Sequence, residues 1–142
     1  MIEKITHQNQ LLGIIIRADF SADGIKFFTP DDFSQQLAYM KRPKNYIIQP
    51  HVHNLVKREV MFTQEVLFIR KGRVRVDFYD DEKRYLESRI LKKGDVILLA
   101  SGGHGFEMLE ESEIIEVKQG PYAGEEDKVR FEPVDKIKVK VR

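Results

Sequence analysis

The chain has 142 residues, 24 basic and 23 acidic, and its net charge of +1 gives no electrostatic reason to expect nucleic acid or an anionic membrane as a partner. This length is sufficient for a single domain with a substantial core. Because the chain has no cysteine, it has neither disulfides nor thiolate ligands, and any metal must be bound by nitrogen and oxygen.

The chain shows no signal for a membrane or for export. Its most apolar stretch, residues 11–16, is only long enough for a strand. The first four residues, Met1 to Lys4, lack the basic-then-apolar form of a signal peptide. We therefore expect a cytoplasmic protein.

The first part of the chain predicts two strands followed by one helix. Residues 11–20 and 24–29 are strand-like and are joined by a turn that contains Gly24. Thr29 can cap a helix whose first position is Pro30, and apolar residues follow at helical spacing at positions 33, 37 and 40. This pattern predicts a short helix over residues 30–42.

From residue 46 onward the pattern indicates strands and turns. In residues 73–79, Val74, Val76 and Phe78 alternate with polar residues, which is typical of a strand with one buried face. Further strands are predicted at 65–69, 85–91, 96–99, 105–109 and 113–118, and the lysine-rich end at 136–142 is predicted to be an edge strand. We therefore predict an all-β, antiparallel barrel or sandwich that forms a single domain over residues 1–142, with its core barrel at about 44–120.

Four residues in this part of the chain suggest a metal site. His51 and His53 lie two positions apart, so on a strand both imidazoles point to the same face. Glu65 and His104 lie in separate predicted strands, and three imidazoles with one carboxylate suit a divalent metal ion. The alternative for the histidine pair is a solvated strand face without a ligand.

The spacing of these residues resembles the two motifs of the cupin superfamily. The first motif is His-x-His, a spacer, Glu, six residues and Gly, and here Glu65 precedes Gly72 by six intervening residues. The second motif places a histidine shortly after Gly, five residues and a Pro-x-Gly turn, and here Gly94 and the turn at residues 100–103 lead to His104. The resemblance implies a small single-domain cupin with a jelly-roll barrel, similar to the sugar-nucleotide isomerase-like cupins.

The sequence departs from these motifs at three points. Eleven residues separate His53 from Glu65, a longer spacer than the family has, and Glu59 lies inside it as an alternative ligand. Ala100 replaces the usual proline, and Met108 stands where asparagine is common. We favour Glu65 over Glu59 because only Glu65 keeps the motif spacing to Gly72.

The resemblance implies a divalent metal ion bound by His51, His53, Glu65 and His104, which could be iron, manganese, nickel, cobalt or zinc. Three further residues are candidates for binding a substrate: Gln49, Phe106 and Lys118. Gln49 would share the His51 face, and the alternative for it is an ordinary polar strand residue. The alternative for Phe106 is a packed core residue. Lys118 could bind an anionic group if the Glu116–Lys118 face looks inward, and the alternation leaves that direction open.

The predicted function is that of a metal-binding cupin that acts on or binds a small polar molecule. An isomerase or epimerase of a sugar or sugar nucleotide in polysaccharide-related metabolism is favoured. A non-catalytic binding protein and a metal-dependent dioxygenase are the alternatives, and no residue stands out as the general base. A homodimer is expected as well, because the apolar strand at residues 11–20 would need a partner sheet.

Overall fold

The computed structural model describes all 142 residues and shows an all-β protein with antiparallel sheets, as predicted. Only two short 3₁₀ helices accompany the strands, at Gly124–Asp127 and Lys136–Lys138. The ten strands are β1 (Ile2–His7), β2 (Gln10–Ile16), β3 (Gly24–Phe27), β4 (Ala38–Lys41), β5 (Glu65–Lys71), β6 (Arg73–Tyr79), β7 (Tyr85–Lys92), β8 (Val96–Leu99), β9 (Gly103–Met108) and β10 (Glu113–Lys118).

The chain divides into two compact units. The first comprises residues 1–20 and 63–142, and the second comprises residues 21–62. The first unit contains a five-stranded sheet in the order β1-β2-β8-β5-β10 and a three-stranded sheet in the order β7-β6-β9. We refer to this unit as the sandwich.

One apolar core is shared by the two sheets of the sandwich. On β6 the predicted alternation is confirmed, since Val74, Val76 and Phe78 are fully buried and belong to this core. Arg75 and Asp77, which alternate with them, form an ion pair of 2.8 Å between Arg75 Nε and Asp77 Oδ1. The core also includes residues of β1 and β2. Its members are Ile5, Leu12, Ile15, Leu67, Ile69, Val74, Val76, Phe78, Leu91, Ile97 and Leu99.

The sheets do not close into a barrel. β10 pairs only with β5, and β9 pairs only with β6, so each of these two strands has one edge without a partner strand. The remaining edge of β7 meets the end of the chain, where Ser88 and Val141 form an isolated parallel bridge. The lysine-rich end is therefore a 3₁₀ turn and a single bridge, and not the predicted edge strand.

β2 lies inside the five-stranded sheet, between β1 and β8. Its residues Leu12, Ile14 and Ile15 are buried within the single chain. The apolar character of this strand is therefore accounted for without a second copy. The argument that this strand needs a partner sheet from a homodimer is wrong.

The predicted helix over residues 30–42 is wrong, because the second unit contains a β3–β4 hairpin and no α-helix. The Thr29 hydroxyl donates to Gln36 Oε1 (2.8 Å) and accepts from the backbone N–H of Leu37 (3.2 Å). The Gln36 amide in turn donates to the carbonyl oxygens of Pro30 (2.9 Å) and Phe33 (3.0 Å). These side chains supply the backbone with partners that an α-helix would otherwise provide, and they hold a loop.

Residues 42–62, which we call the linking segment, follow β4. They form neither helix nor strand, and every residue in them is exposed. The strand predicted to carry His51 and His53 is therefore not present in this chain.

No helix in the structure is long and apolar enough to cross a membrane.

Candidate metal centre

Glu65 and His104 come together inside the sandwich. Glu65 is the first residue of β5. It lies on the same face of this strand as Leu67 and Ile69, which belong to the core, so this is the inner face of the strand. His104 lies on β9 opposite the core residue Phe78 of β6. His104 Nε2 is 3.3 Å from Glu65 Oε2, so the contact joins the inner faces of the two sheets.

This pair is partly shielded from solvent, with side-chain exposures of 28% for His104 and 14% for Glu65. The hydrogen bond from His104 lowers the pKa of Glu65, and it outweighs the opposing effect of burial. The charges of Lys118 and Lys128 lower this pKa further. Glu65 is therefore a carboxylate at neutral pH, the form that binds metal ions.

Lys118 lies directly beside Glu65. The two residues are register partners in the β5–β10 pair, and side chains of directly opposed residues share one face of a sheet. Glu116 is paired with the core residue Leu67, and Ile114 packs against the core, so both lie on this face as well. The Glu116–Lys118 face, whose direction the alternation left open, therefore continues the core face of β5, and the Glu116 side chain on it is exposed.

Phe106 lies next to His104 on the same face of β9. The centroids of the two rings are 5.5 Å apart, and Phe106 is opposite the core residue Val76. Because the ring is still 37% exposed, it is more open to solvent than a packed core phenylalanine. Phe106 is thus an apolar wall beside the His104–Glu65 pair.

His51 and His53 are also neighbours of each other, within the linking segment. Their ring centroids are 5.2 Å apart in an edge-to-face arrangement. His51 Nδ1 lies 2.9 Å from the carbonyl oxygen of Gln49. When Nδ1 carries the proton and donates to this oxygen, Nε2 keeps the lone pair that a metal ion needs.

Gln49 therefore contacts His51 through its backbone. The strand alternation that placed the Gln49 side chain on the His51 face does not apply, because this segment is not a strand. The side chain is exposed and remains only a predicted contact to a substrate.

The structure distinguishes the two glutamates that compete for the fourth ligand position. Glu59 is an exposed residue of the linking segment, whereas Glu65 is partly buried and bonded to His104. The choice of Glu65 over Glu59 as a metal ligand stays a prediction.

The four predicted ligands occur as two pairs, each within its own unit of the chain. No group of three or more histidine, aspartate or glutamate side chains has an arrangement that could hold a metal ion. The chemistry of the donors nevertheless suits one, since each pair offers the nitrogen or oxygen atoms that divalent transition metals bind.

Lys128 is a charged neighbour of Glu65 that the sequence did not reveal. It directly follows the 3₁₀ helix Gly124–Asp127, which is anchored by a hydrogen bond of 2.5 Å from the Thr63 hydroxyl to Asp127 Oδ1. Thr63 immediately precedes β5, so this bond brings the C-terminal part of the chain to the start of that strand. No local pattern predicts such a long-range bond.

Comparisons with family models, with curated proteins and with solved structures find no match to this chain.

Proposed function

We propose that this protein is a cupin that uses a divalent metal ion to bind and transform a small, anionic, polar molecule. His51, His53, Glu65 and His104 are the proposed ligands of the metal. The observation that carries the proposal is the contact of 3.3 Å between Glu65 and His104, which brings together two residues from distant strands at matching motif positions. A jelly-roll topology and a homodimer belong to the same proposal.

The charge around Glu65 supports an anionic substrate. Lys118 shares the inner face with Glu65, and its ammonium group can bind a carboxylate or a phosphate. Phe106 offers an apolar surface on the opposite sheet. Together these groups favour a molecule with an anionic end and a less polar body, such as a sugar nucleotide or a sugar acid.

The bound metal would supply a Lewis acid that polarises a carbonyl or hydroxyl group of the substrate. Such polarisation is what an isomerase or epimerase of a sugar derivative needs. Lys118 would orient the anionic group, and Glu65 would be the only anionic ligand. For His104 to bind the metal through Nε2, that nitrogen must keep its lone pair, with the imidazole proton on Nδ1.

Metal content tests this proposal. The purified protein would be freed of metal with a chelator and reloaded separately with iron(II), manganese, nickel, cobalt and zinc. Its metal content would then be measured by elemental mass spectrometry. We expect one ion per chain for the wild type, a strong reduction for Glu65→Gln, and an unchanged content for the matched control Glu59→Gln. Failure of the wild type to take up any metal, or a loss with Glu59→Gln alone, would contradict the assignment.

The reloaded protein would then be screened with sugar nucleotides, sugar phosphates and oxo-acids. A ligand stabilises the folded protein according to its concentration and affinity, so binders raise the melting temperature. Lys118→Met should abolish the shift for anionic ligands and leave metal content unchanged. Turnover of a stabilising ligand identifies an enzyme, whereas stabilisation without turnover identifies a binding protein.

A further inference from the structure

Two lysines near Glu65 form no ion pair. Lys118 is the register partner of Glu65 in the β5–β10 pair, and Lys128 directly follows the 3₁₀ helix Gly124–Asp127. Neither ammonium group lies within ion-pairing distance of a carboxylate. Both positive charges can therefore bind an anion that comes from outside the chain.

The acidic side chains around these two lysines contact other partners. The pairs are Glu65 with His104, Asp127 with Thr63, and Glu125 with Arg130. The hydrogen bond from Arg130 lowers the pKa of Glu125, and the charges of both lysines lower it further. The same lysines lower the pKa of Glu65, after the larger effect of its hydrogen bond from His104. Because both lysines act on the same two carboxylates, their ammonium groups lie in one region, and an anion can approach it without breaking an ion pair.

Side-chain contacts before and after Lys128 fix its position. On one side, the Thr63 hydroxyl donates a hydrogen bond of 2.5 Å to Asp127 Oδ1, and Thr63 lies just before β5. On the other side, the ring of Phe131 packs edge-on against Tyr79, with 4.9 Å between the ring centroids. All of these residues belong to the sandwich. Lys128 is therefore tied to the start of β5 and to the end of β6.

Lys118 is held in place by the sheet itself. It is the last residue of β10, and the pairing with β5 continues one residue further, where the backbone N–H of Gln119 donates to the carbonyl oxygen of Gln64 (2.9 Å). The Lys118 side chain is half-buried, whereas Lys128 is exposed. The two ammonium groups are thus supplied by two separate segments, a strand and a loop.

A phosphate group fits two such lysines better than a carboxylate does. At neutral pH the phosphate of a monoester carries a charge of about −1.5 to −2 and has three acceptor oxygens, whereas a carboxylate carries a single charge. A lysine binds phosphate as a point charge with three donors, so two lysines can contact different oxygens of the same phosphate. Phe106, beside His104, offers apolar surface to the rest of a small molecule.

We infer that Lys118 and Lys128 together bind the phosphate group of a small phosphate monoester, and that the hydrogen bond between Thr63 and Asp127 positions Lys128 for this contact. The inference rests on the proposed function, since it specifies the anionic group of the proposed substrate. Lys118 contacts any anion at this site, whereas Lys128 gives the preference for phosphate over carboxylate. Thr63 and Asp127 are positioning residues, because they act through Lys128.

Calorimetric titration of four proteins tests the role of Lys128. The wild type, Lys128→Met, Lys118→Met and the matched control Lys138→Met would each be titrated with glucose 1-phosphate and with glucuronate. A chelator would be present, so that no metal contributes to binding. Lys138 is an exposed lysine of the same C-terminal part of the chain and forms no ion pair.

We expect the wild type to bind glucose 1-phosphate more tightly than glucuronate. Lys128→Met should weaken the binding of glucose 1-phosphate about tenfold, as expected for the loss of one charge-assisted hydrogen bond, and leave the binding of glucuronate unchanged. Lys118→Met should weaken the binding of both ligands, and Lys138→Met of neither. Equal effects of Lys128→Met on the two ligands, or no effect on either, would overturn the inference.

Variants at Thr63 test how Lys128 is positioned. Thr63→Val keeps the size of the side chain but removes the hydroxyl, so it should lower the affinity for glucose 1-phosphate as Lys128→Met does. Thr63→Ser retains the hydroxyl and should keep the wild-type affinity. If Thr63→Val binds glucose 1-phosphate as tightly as the wild type, the hydrogen bond to Asp127 does not position Lys128, and this part of the inference is wrong.

Phosphate binding and metal binding are measured separately, so the two proposals can fail independently. If the wild type takes up metal but Lys128→Met leaves the affinity for glucose 1-phosphate unchanged, the inference is overturned and the proposed metal site stands. If phosphate binding depends on both lysines in a chain that takes up no metal, the phosphate site stands and the metal-dependent function fails. A wild type that does not bind glucose 1-phosphate overturns the inference directly.

Discussion

The sandwich and the linking segment contain similar proportions of large apolar residues, but the sandwich buries many of them and the linking segment exposes them. In the sandwich, Val74, Val76 and Phe78 are completely covered by two sheets. In the linking segment, the side chains of Val52 and Leu55 are almost fully exposed. Burial of apolar surface is the dominant stabilising contribution in folding, so the sandwich supplies the stability of the chain. The linking segment contributes little until something covers it.

Truncation of a core side chain should lower the free energy of unfolding more than any change in the linking segment does. Phe78→Ala removes a fully buried ring between the two sheets and leaves a cavity. We expect a loss of about 4 kcal/mol in the free energy of unfolding, measured by urea denaturation. A loss comparable to that of an exposed substitution would show that the shared core is not the source of stability.

The sandwich also depends on a buried carboxylate, Asp95. Its side chain is fully buried, and it accepts hydrogen bonds from Arg17 Nη1 (2.9 Å) and from the backbone N–H groups of Ala18 (2.8 Å) and Lys92 (3.0 Å). Asp95→Ala removes the acceptor of both backbone N–H groups and one of the two carboxylates that pair with Arg17, the other being Glu3. We expect a loss of about 3 kcal/mol in unfolding free energy, and the conservative Asp95→Asn should lose less.

Glu3 belongs to the same network, and its ionisation makes the stability that the network contributes depend on pH. Although burial raises its pKa, hydrogen bonds from Arg17 and Arg89 outweigh that effect, and the net pKa lies below the ordinary 4.5. A lowered pKa in the folded state means that Glu3 stabilises the protein above the ordinary pKa and loses this contribution as the pH falls through the folded value. Glu3→Gln should therefore cost about 1 kcal/mol near neutral pH.

The difference between Glu3→Gln and the wild type should shrink progressively in unfolding experiments carried out below about pH 4.5. The matched control is Asp19→Asn, a change at a largely exposed residue paired with the terminal amine. This control should have little effect at any pH, since exposed ion pairs contribute little. An equal difference for Glu3→Gln in acid and at neutral pH would contradict the assigned role.

The smallest effect on the fold is expected in the linking segment. Leu55→Ser replaces an exposed apolar side chain, so the unfolding free energy of the isolated monomer should change by no more than about 0.5 kcal/mol. Urea denaturation measures this difference. A loss comparable to that of Phe78→Ala would show that the linking segment stabilises the chain as much as the core does.

Much of the sandwich was predictable because its strands carry their signal locally. β5, β6, β7, β8 and β10 lie within two residues of their predicted bounds, since period-two alternation and glycine turns mark them in the sequence. β1 was missed because only two of its six residues, Ile2 and Ile5, are apolar, which is too few to form a clear alternating pattern. The helix over 30–42 failed because Thr29 and Gln36 bind the backbone of a loop, and helical spacing of apolar residues does not report such contacts.

Residue type and spacing were enough to choose the residues of the candidate chemistry, which are His51, His53, Glu65, His104 and Lys118. Which of these residues lie together depends on strand pairing in the folded chain. Alternation shows that Glu116 and Lys118 share a face, but only pairing with Glu65 and Leu67 on β5 shows that this face continues the core face of β5. Likewise, only the approach of β9 to β5 brings His104 within 3.3 Å of Glu65. Strand pairing between distant residues depends on how the whole core packs, and a local pattern does not contain that information.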